Sequence, residues 1–327
     1  MRIVLIIGLA LGLLTAGRAS AAEAVLRLSH PMPPSHHIAK LIDGWAADIQ
    51  SASGGRIEVQ IFGAEQAFKA PQNIVAVARG QIEAAASVNF QWGETVPEMN
   101  VTILPFLLTD LERIRRFPGS PAAAFLEEKL AQKGVVNLAW LYTSRLSVFT
   151  SQRRPLIQSE DFRGVKIRGL NRLVDNALVA VGAAPSAMPA PEVYQALQSG
   201  VLDAGMTDLS AAYSRKFFEV QKYGTVTPIS AVYYHIYVNP DWYRKLAPDL
   251  RDVLSAASRK ITIDAIPATE AAAEEAMLQL SAKGMVLHTQ TAEEVAAFTR
   301  IMQPPVLKAF LEASPDGQKI LDLLNGL

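Results

Sequence analysis

The stretch Phe162-Arg163-Gly164-Val165-Lys166-Ile167-Arg168 is continued by Gly182-Ala183-Ala184-Pro185. It closes with Glu192-Val193-Tyr194-Gln195-Ala196-Leu197-Gln198-Ser199-Gly200-Val201-Leu202-Asp203-Ala204-Gly205. The whole reads as strand, helix, glycine, strand. The first strand ends on Arg168. A planar, permanently charged guanidinium held at a strand end suits a carboxylate. For an isolated arginine the competing reading is a surface ion pair.

A second stretch echoes the first. Pro71 stands nine positions before Gly80, and Gln81-Ile82-Glu83-Ala84 follows. Pro191 stands nine before Gly200, and Val201-Leu202-Asp203-Ala204 follows. The two units lie 120 residues apart, far beyond a solenoid period. Proline at a helix start and glycine past its end is also ordinary punctuation. If the units are equivalent, Ser87-Val88-Asn89 and Thr207-Asp208 occupy matching strand ends. Ligands in open α/β sheets bind beyond such ends, so a cleft with two walls is expected.

Around these units the chain alternates. Ala24 to Leu28 reads as a strand, Ile38 to Gln50 as a helix with one apolar face, and Arg56 to Ile61 as a strand. Pro71 to Arg79 reads as a helix and Ile82 to Val88 as a strand. This is α/β architecture with largely parallel sheets. The later part reads as helical. One segment runs from Pro240 towards Lys260, another from Asp264 to Lys283, and Pro304-Pro305 is expected to interrupt a third that Thr291 and Glu294 open as a capping box. Leu321 to Leu327 is a terminal helix or tail.

Met1-Arg2, the apolar run Ile3 to Ala16, and Ala19-Ser20-Ala21 fit a cleaved secretory signal peptide over residues 1–21. Its apolar core is too short to span a bilayer. Loss of Arg2 and Arg18 leaves 29 basic against 31 acidic residues in a mature chain of roughly 305. That length exceeds what one core usually serves, so two lobes are expected. The chain has no cysteine, which excludes disulfides, thiolate metal sites and a cysteine nucleophile. A balanced charge without a Lys/Arg run gives no footprint for nucleic acid. No nucleotide loop, nucleophile elbow or zinc-helix motif is present, so neither catalytic residues nor a cofactor is expected. His36 and His37 are adjacent and cannot share a helix face as ligands, so no metal site is expected.

Six pieces, the opening stretch among them, stand in one order: Leu26-Arg27-Leu28-Ser29-His30, Ser53-Gly54-Gly55-Arg56-Ile57-Glu58-Val59, Leu104-Pro105-Phe106, Asp161 to Arg168, Gly182-Ala183-Ala184-Pro185 with Glu192 to Asp203, and Asn239-Pro240-Asp241-Trp242 with Leu246-Ala247-Pro248-Asp249-Leu250. In this order and spacing the mature chain resembles the solute-binding proteins of tripartite ATP-independent periplasmic (TRAP) transporters. The resemblance implies a two-lobed Venus-flytrap fold with strands crossing between lobes and a long shared helix. It implies residues 22–142 plus 233–272 as lobe I, and 143–232 plus 273–327 as lobe II. It also implies a periplasmic monomer that closes on a small organic acid and delivers it to a membrane permease.

By the same resemblance Arg168 grips the ligand carboxylate and Arg145 is a second arginine of the site. Thr207 stands where many relatives carry an asparagine, Val88 where some that bind sugar acids carry a carboxylate, and Ala190 where an aromatic often packs. These departures argue against a polyhydroxylated sugar acid and favour a ligand that is less polar or differently shaped. Asn89 and Trp92 follow the first-lobe strand and are candidates for one wall, and Tyr234 at the crossover is another; an aromatic stripe is more often core than site. Asp208 reads as a helix cap for Leu209 to Phe218. A sensory protein presenting its ligand to a receptor kinase would share this sequence pattern. So would an isomerase or lyase on the same scaffold.

Overall fold

The computed structural model describes residues 22–327; the expected signal peptide lies outside them. The first half contains β1 (Ala24–Ser29), α1 (His37–Ala52), β2 (Ile57–Phe62), α2 (Asn73–Ala78), β3 (Ala84–Val88), α3 (Leu111–Arg116), α4 (Pro121–Gln132) and β4 (Val136–Ser144). The middle contains β5 (Ser147–Ser151), β6 (Lys166–Gly169), α5 (Asn176–Ala180), β7 (Ala184–Ala187), α6 (Ala190–Gln198), β8 (Ala204–Asp208), α7 (Leu209–Ser214), β9 (Tyr223–Thr227) and β10 (Val232–Val238). The chain ends with α8 (Pro240–Lys245), α9 (Pro248–Ala282), β11 (Val286–Thr289), α10 (Ala292–Ala313) and α11 (Gly317–Asn325).

The strands form two sheets, ordered β2-β1-β3-β10-β4 and β11-β9-β5-β8-β6-β7. Strip β11 from the second and the two have one design. In each, three parallel strands come from a β-α-β-α-β run, and an antiparallel strand lies beside the third of them. That antiparallel strand comes from elsewhere in the chain. β4 at the edge of the first sheet runs directly into β5 inside the second, and β9 of the second runs into β10 inside the first. The lobes thus exchange strands. The echoed Pro–Gly units hold equivalent places, α2 before β3 and α6 before β8. Gly80 and Gly200 both adopt left-handed backbone, at φ 68° and 74°, as a helix-ending glycine should.

α9 ties the lobes together. Its Leu254, Ile261 and Ala265 enter the larger first core, while Ala276 and Leu280 enter the second with Val148, Val193, Phe217 and Val226. It is one helix of 35 residues with Pro267 inside, so the expected break near Lys260 is absent. Thr269 Oγ1 donates to the Tyr142 carbonyl at 2.6 Å where α9 crosses the end of β4.

α10 also differs from expectation, because it runs unbroken through Pro304 and Pro305. Proline inside a helix costs about 3 kcal/mol. Phe298, Met302, Val306 and Phe310 recur every four residues along one face and are fully buried. Each contributes about 1.5–3 kcal/mol on burial, enough to outweigh two prolines. The expectation gives all of 273–327 to the second lobe. The terminal α11 instead packs on α4 and the turn Pro97–Ile103 of the first, and the backbone N–H of Asp316, just before α11, donates to Glu98 Oε1 at 3.3 Å.

Candidate functional site

Between the sheets lies a cavity of about 770 Å³. It is lined at the carboxyl ends of β3, β6, β7 and β8 by Val88, Arg168, Ala187 and Thr207, and by Tyr234 of the crossing strand β10. Pro71 and Pro191, the starts of the two echoed units, face it from opposite walls. Strand-end geometry places a ligand where loops and helix starts converge.

Arg168 is 4% exposed. Its Nε donates to the Met188 carbonyl at 3.1 Å and its Nη1 to the Met206 carbonyl at 2.6 Å. These bonds fix the guanidinium plane and leave Nη2 without a partner among the described residues. Among the described residues no carboxylate lies within ion-pair distance of it; the charges nearest in effect are Arg215, Asp175 and Asp208. Burial foremost, then the like charge of Arg215, pushes Arg168 down to about 10, so it stays protonated at neutral pH. A buried, oriented and unpaired cation is costly to keep unless something anionic completes it.

Asp175 sits beside this strand. Its Oδ1 accepts the Leu170 N–H at 2.8 Å, and its carboxyl packs on Gly169 where a Cβ would stand 2.1–2.4 Å away. Burial raises it to about 6, opposed by that N–H bond and by Arg168. Tyr234 is buried, its N–H bonds Thr143 Oγ1 at 3.2 Å, and burial lifts its phenol to about 12. Asp208 caps α7 by accepting the Ala211 N–H at 2.7 Å, and that helix ends at Ser214, earlier than expected.

Arg168, Thr207 and Tyr234 therefore meet in one cavity. The other three sequence candidates are outside its lining. Arg145 is held by Glu270 of α9, Nη2 to Oε2 at 2.7 Å, with the Tyr142 hydroxyl on the same carboxylate. Asn89 is a brace of the first lobe: Nδ2 donates to the Met99 carbonyl and Thr102 Oγ1, and Oδ1 accepts the Tyr233 N–H. Trp92 is fully buried, edge-on to Tyr237 with centroids 5.3 Å apart. Arg215, His36 and Asn171 line the cavity and carry no sequence signal as site residues. Much of the remaining lining is apolar, with Ile74, Val88, Phe90, Val179 and Met188 beside Pro31, Pro71, Pro185, Pro189 and Pro191.

Two lobes with exchanged strands, a shared helix and a charged cleft between them define a Venus-flytrap binding protein. Residues 28–313 match the family described as bacterial extracellular solute-binding protein, family 7 (DctP), and the chain belongs to it. This is the TRAP solute-binding family that the sequence resembles. The C4-dicarboxylate-binding periplasmic protein DctP of Rhodobacter capsulatus is 28% identical over 298 residues, 90% of this chain and 89% of its own. The crystal structure of a TRAP periplasmic solute-binding protein from Sulfurospirillum deleyianum, with bound succinate, superposes with TM-score 0.85 at 25% identity. It covers 93% of this chain and 99% of that one. A Sulfitobacter homologue with bound β-D-galacturonate gives TM-score 0.87 at 21% identity, covering 93% of this chain and all of the other, which supports the fold alone.

Proposed function

We propose that the protein captures a small organic acid in the periplasm, after removal of residues 1–21, and delivers it to a TRAP-type membrane permease. The lobes are 22–142 with 233–272, and 143–232 with the C-terminal part, of which α11 fastens back onto the first. The observation that carries this reading is Arg168, buried, held flat by two backbone carbonyls and, among the described residues, without a counter-ion. A carboxylate completes that site with a charge-assisted bond in a water-poor cleft. Membership of the family, and relatives named for C4-dicarboxylates or holding succinate, supports the same class. Thr207 and Tyr234 supply hydroxyls beside the arginine, and the prolines and aliphatic side chains of the lining suit a body less polar than a sugar acid.

A thermal-shift screen of organic acids identifies the ligand, since saturation at a hundred times Kd stabilises by roughly 2.7 kcal/mol. Arg168→Ala then weakens binding in calorimetry by about 2–5 kcal/mol, because the desolvated carboxylate loses its partner. Unchanged affinity in that variant overturns the assignment.

A further inference from the structure

Arg215 and His36 face the same cavity as Arg168 from opposite lobes. Arg215 follows α7 in the second lobe. Its guanidinium makes one long bond, Nη2 to the Pro31 carbonyl of the first lobe at 3.4 Å. Its Nε is buried without a partner, and among the described residues no carboxylate lies within ion-pair distance. Asp208 shares the cavity, but its Oδ1 is committed to the Ala211 N–H and the Ser210 hydroxyl at the cap of α7. Arg215 thus joins Arg168 and Arg172 in a lining that also holds Glu94, Asp175 and Asp208, and among the described residues it is in ion-pair contact with none of these acids. The guanidinium is half-buried and keeps donors free for an anion in the cleft.

His36 ends the Pro31–His36 turn, its N–H bonded to the Pro33 carbonyl at 3.0 Å. Its Nδ1 accepts the Ile38 N–H at 3.2 Å as the cap of α1. A neutral imidazole whose Nδ1 accepts must carry its proton on Nε2. Burial, and next the charge of Arg215, hold the ring down to about 3, so it is neutral at physiological pH. Among the described residues Nε2 has no partner, and His36 lines the cavity. The turn that carries His36 is the one whose Pro31 carbonyl Arg215 reaches.

We propose that Arg215 and His36 form a second anion subsite, apart from the Arg168 contact, which selects ligands with an acidic group at each end. The fork comes from one lobe and the N–H donor from the other, so a second acidic group is satisfied only when the lobes are together. The inference rests on the Arg168 reading of the first carboxylate.

The test is calorimetry on matched pairs that differ by one acidic group: succinate and butyrate, glutarate and valerate, phthalate and benzoate. The expected result is that at least one diacid binds tenfold or more tighter than its monoacid, about 1.4 kcal/mol. Arg215→Gln then brings that ratio to within about threefold, whereas Arg168→Ala weakens both members of the pair. His36→Asn keeps a capping acceptor for α1 and lowers the ratio by a smaller factor. A ratio unmoved by Arg215→Gln, or monoacids that equal every diacid, overturns the second subsite while the Arg168 reading stands. If only a monoacid from the wider screen binds, and Arg215→Gln leaves its affinity unchanged while Arg168→Ala weakens it, the second subsite falls and the Arg168 reading stands. Melting temperatures of the variants confirm that each is folded.

Discussion

Asn171 Nδ2 lies 2.7 Å from Asn100 Oδ1, a side-chain bond that joins the two lobes beside the cavity. The same nitrogen reaches the Phe90 carbonyl at 3.2 Å, and Asn171 Oδ1 accepts the Val174 N–H. Asn100 is itself fixed: its Nδ2 donates to the Pro97 carbonyl at 3.0 Å, and its amide fills the space beside Gly93 where a Cβ would stand 2.5 Å away. Both amides are used in full, so the clasp favours one relative placement of the lobes. Asn171→Ala should weaken ligand retention by about 1–2 kcal/mol, a five- to thirtyfold rise in Kd. Stopped-flow fluorescence should show the change mainly in koff; equal dissociation rates in variant and wild type would remove the clasp from the mechanism.

Gly169 is required by its neighbour. A methyl there meets the Asp175 carboxyl at 2.1–2.4 Å, one residue from Arg168. Gly169→Ala must displace Asp175 or the strand, at a cost of about 1–3 kcal/mol of stability, and it should loosen ligand binding by tilting Arg168. Asp175→Ala in the same chain removes the clash. Urea denaturation of both single variants and the double variant should therefore reveal favourable coupling. Additive losses would show that the crowding is relieved some other way.

These positions also mark where sequence reading stops. The alternation of strands and helices, the echoed Pro–Gly units and Arg168 at a strand end are local patterns, and local patterns are legible. Arg215 and Pro31 are 184 residues apart, and Asn171 and Asn100 are 71 apart. Before folding, Arg215 is indistinguishable from a solvent-facing charge at a helix end. The unbroken α10 was hidden for the opposite reason. Pro304 and Pro305 are strong local signals, and only the burial of Phe298, Met302, Val306 and Phe310 overrules them. Asn89 and Trp92 stand just past a site strand in sequence, yet their side chains turn into the first lobe.

Arg145 is engaged by Glu270, with Nε and Nη2 at 3.2 and 2.7 Å from Oε2. The pair is partly exposed, 29% and 25%, so screening lowers its worth. Glu270 also takes the Tyr142 hydroxyl at 2.7 Å where β4 leaves the first sheet. Arg145→Ala should cost about 1–2 kcal/mol, lowering Tm by about 2–4 °C per kcal/mol, with ligand affinity held within about threefold. A tenfold loss of affinity at unchanged Tm would instead make Arg145 a ligand contact. Calorimetry and a melting scan on one preparation separate the two.

Acid should unfold this protein through its histidines. Burial pulls His30 down to about 4, and His36, His37 and His235 down to about 3. The unfolded chain titrates near 6.5 and so binds protons that the native state refuses. Stability then rises with pH between about 3 and 6.5, and falls as pH drops below 6.5. Asp175 works the other way. Its native value of about 6 exceeds the unfolded 3.8, so its share is present below 3.8 and lost as pH rises through 6. Between pH 4 and 6 the four histidines outweigh Asp175, so the unfolded chain binds more protons and the net slope is positive. Urea midpoints measured from pH 8 to 4.5 should therefore be level above pH 7 and fall steeply below 6.5. Asp175→Asn keeps the acceptor for the Leu170 N–H but removes the opposing proton. It should raise stability at pH 7 relative to wild type and steepen the acid limb by one proton. A midpoint that stays flat from pH 7 to 5 would mean that these histidines are protonated in the folded state.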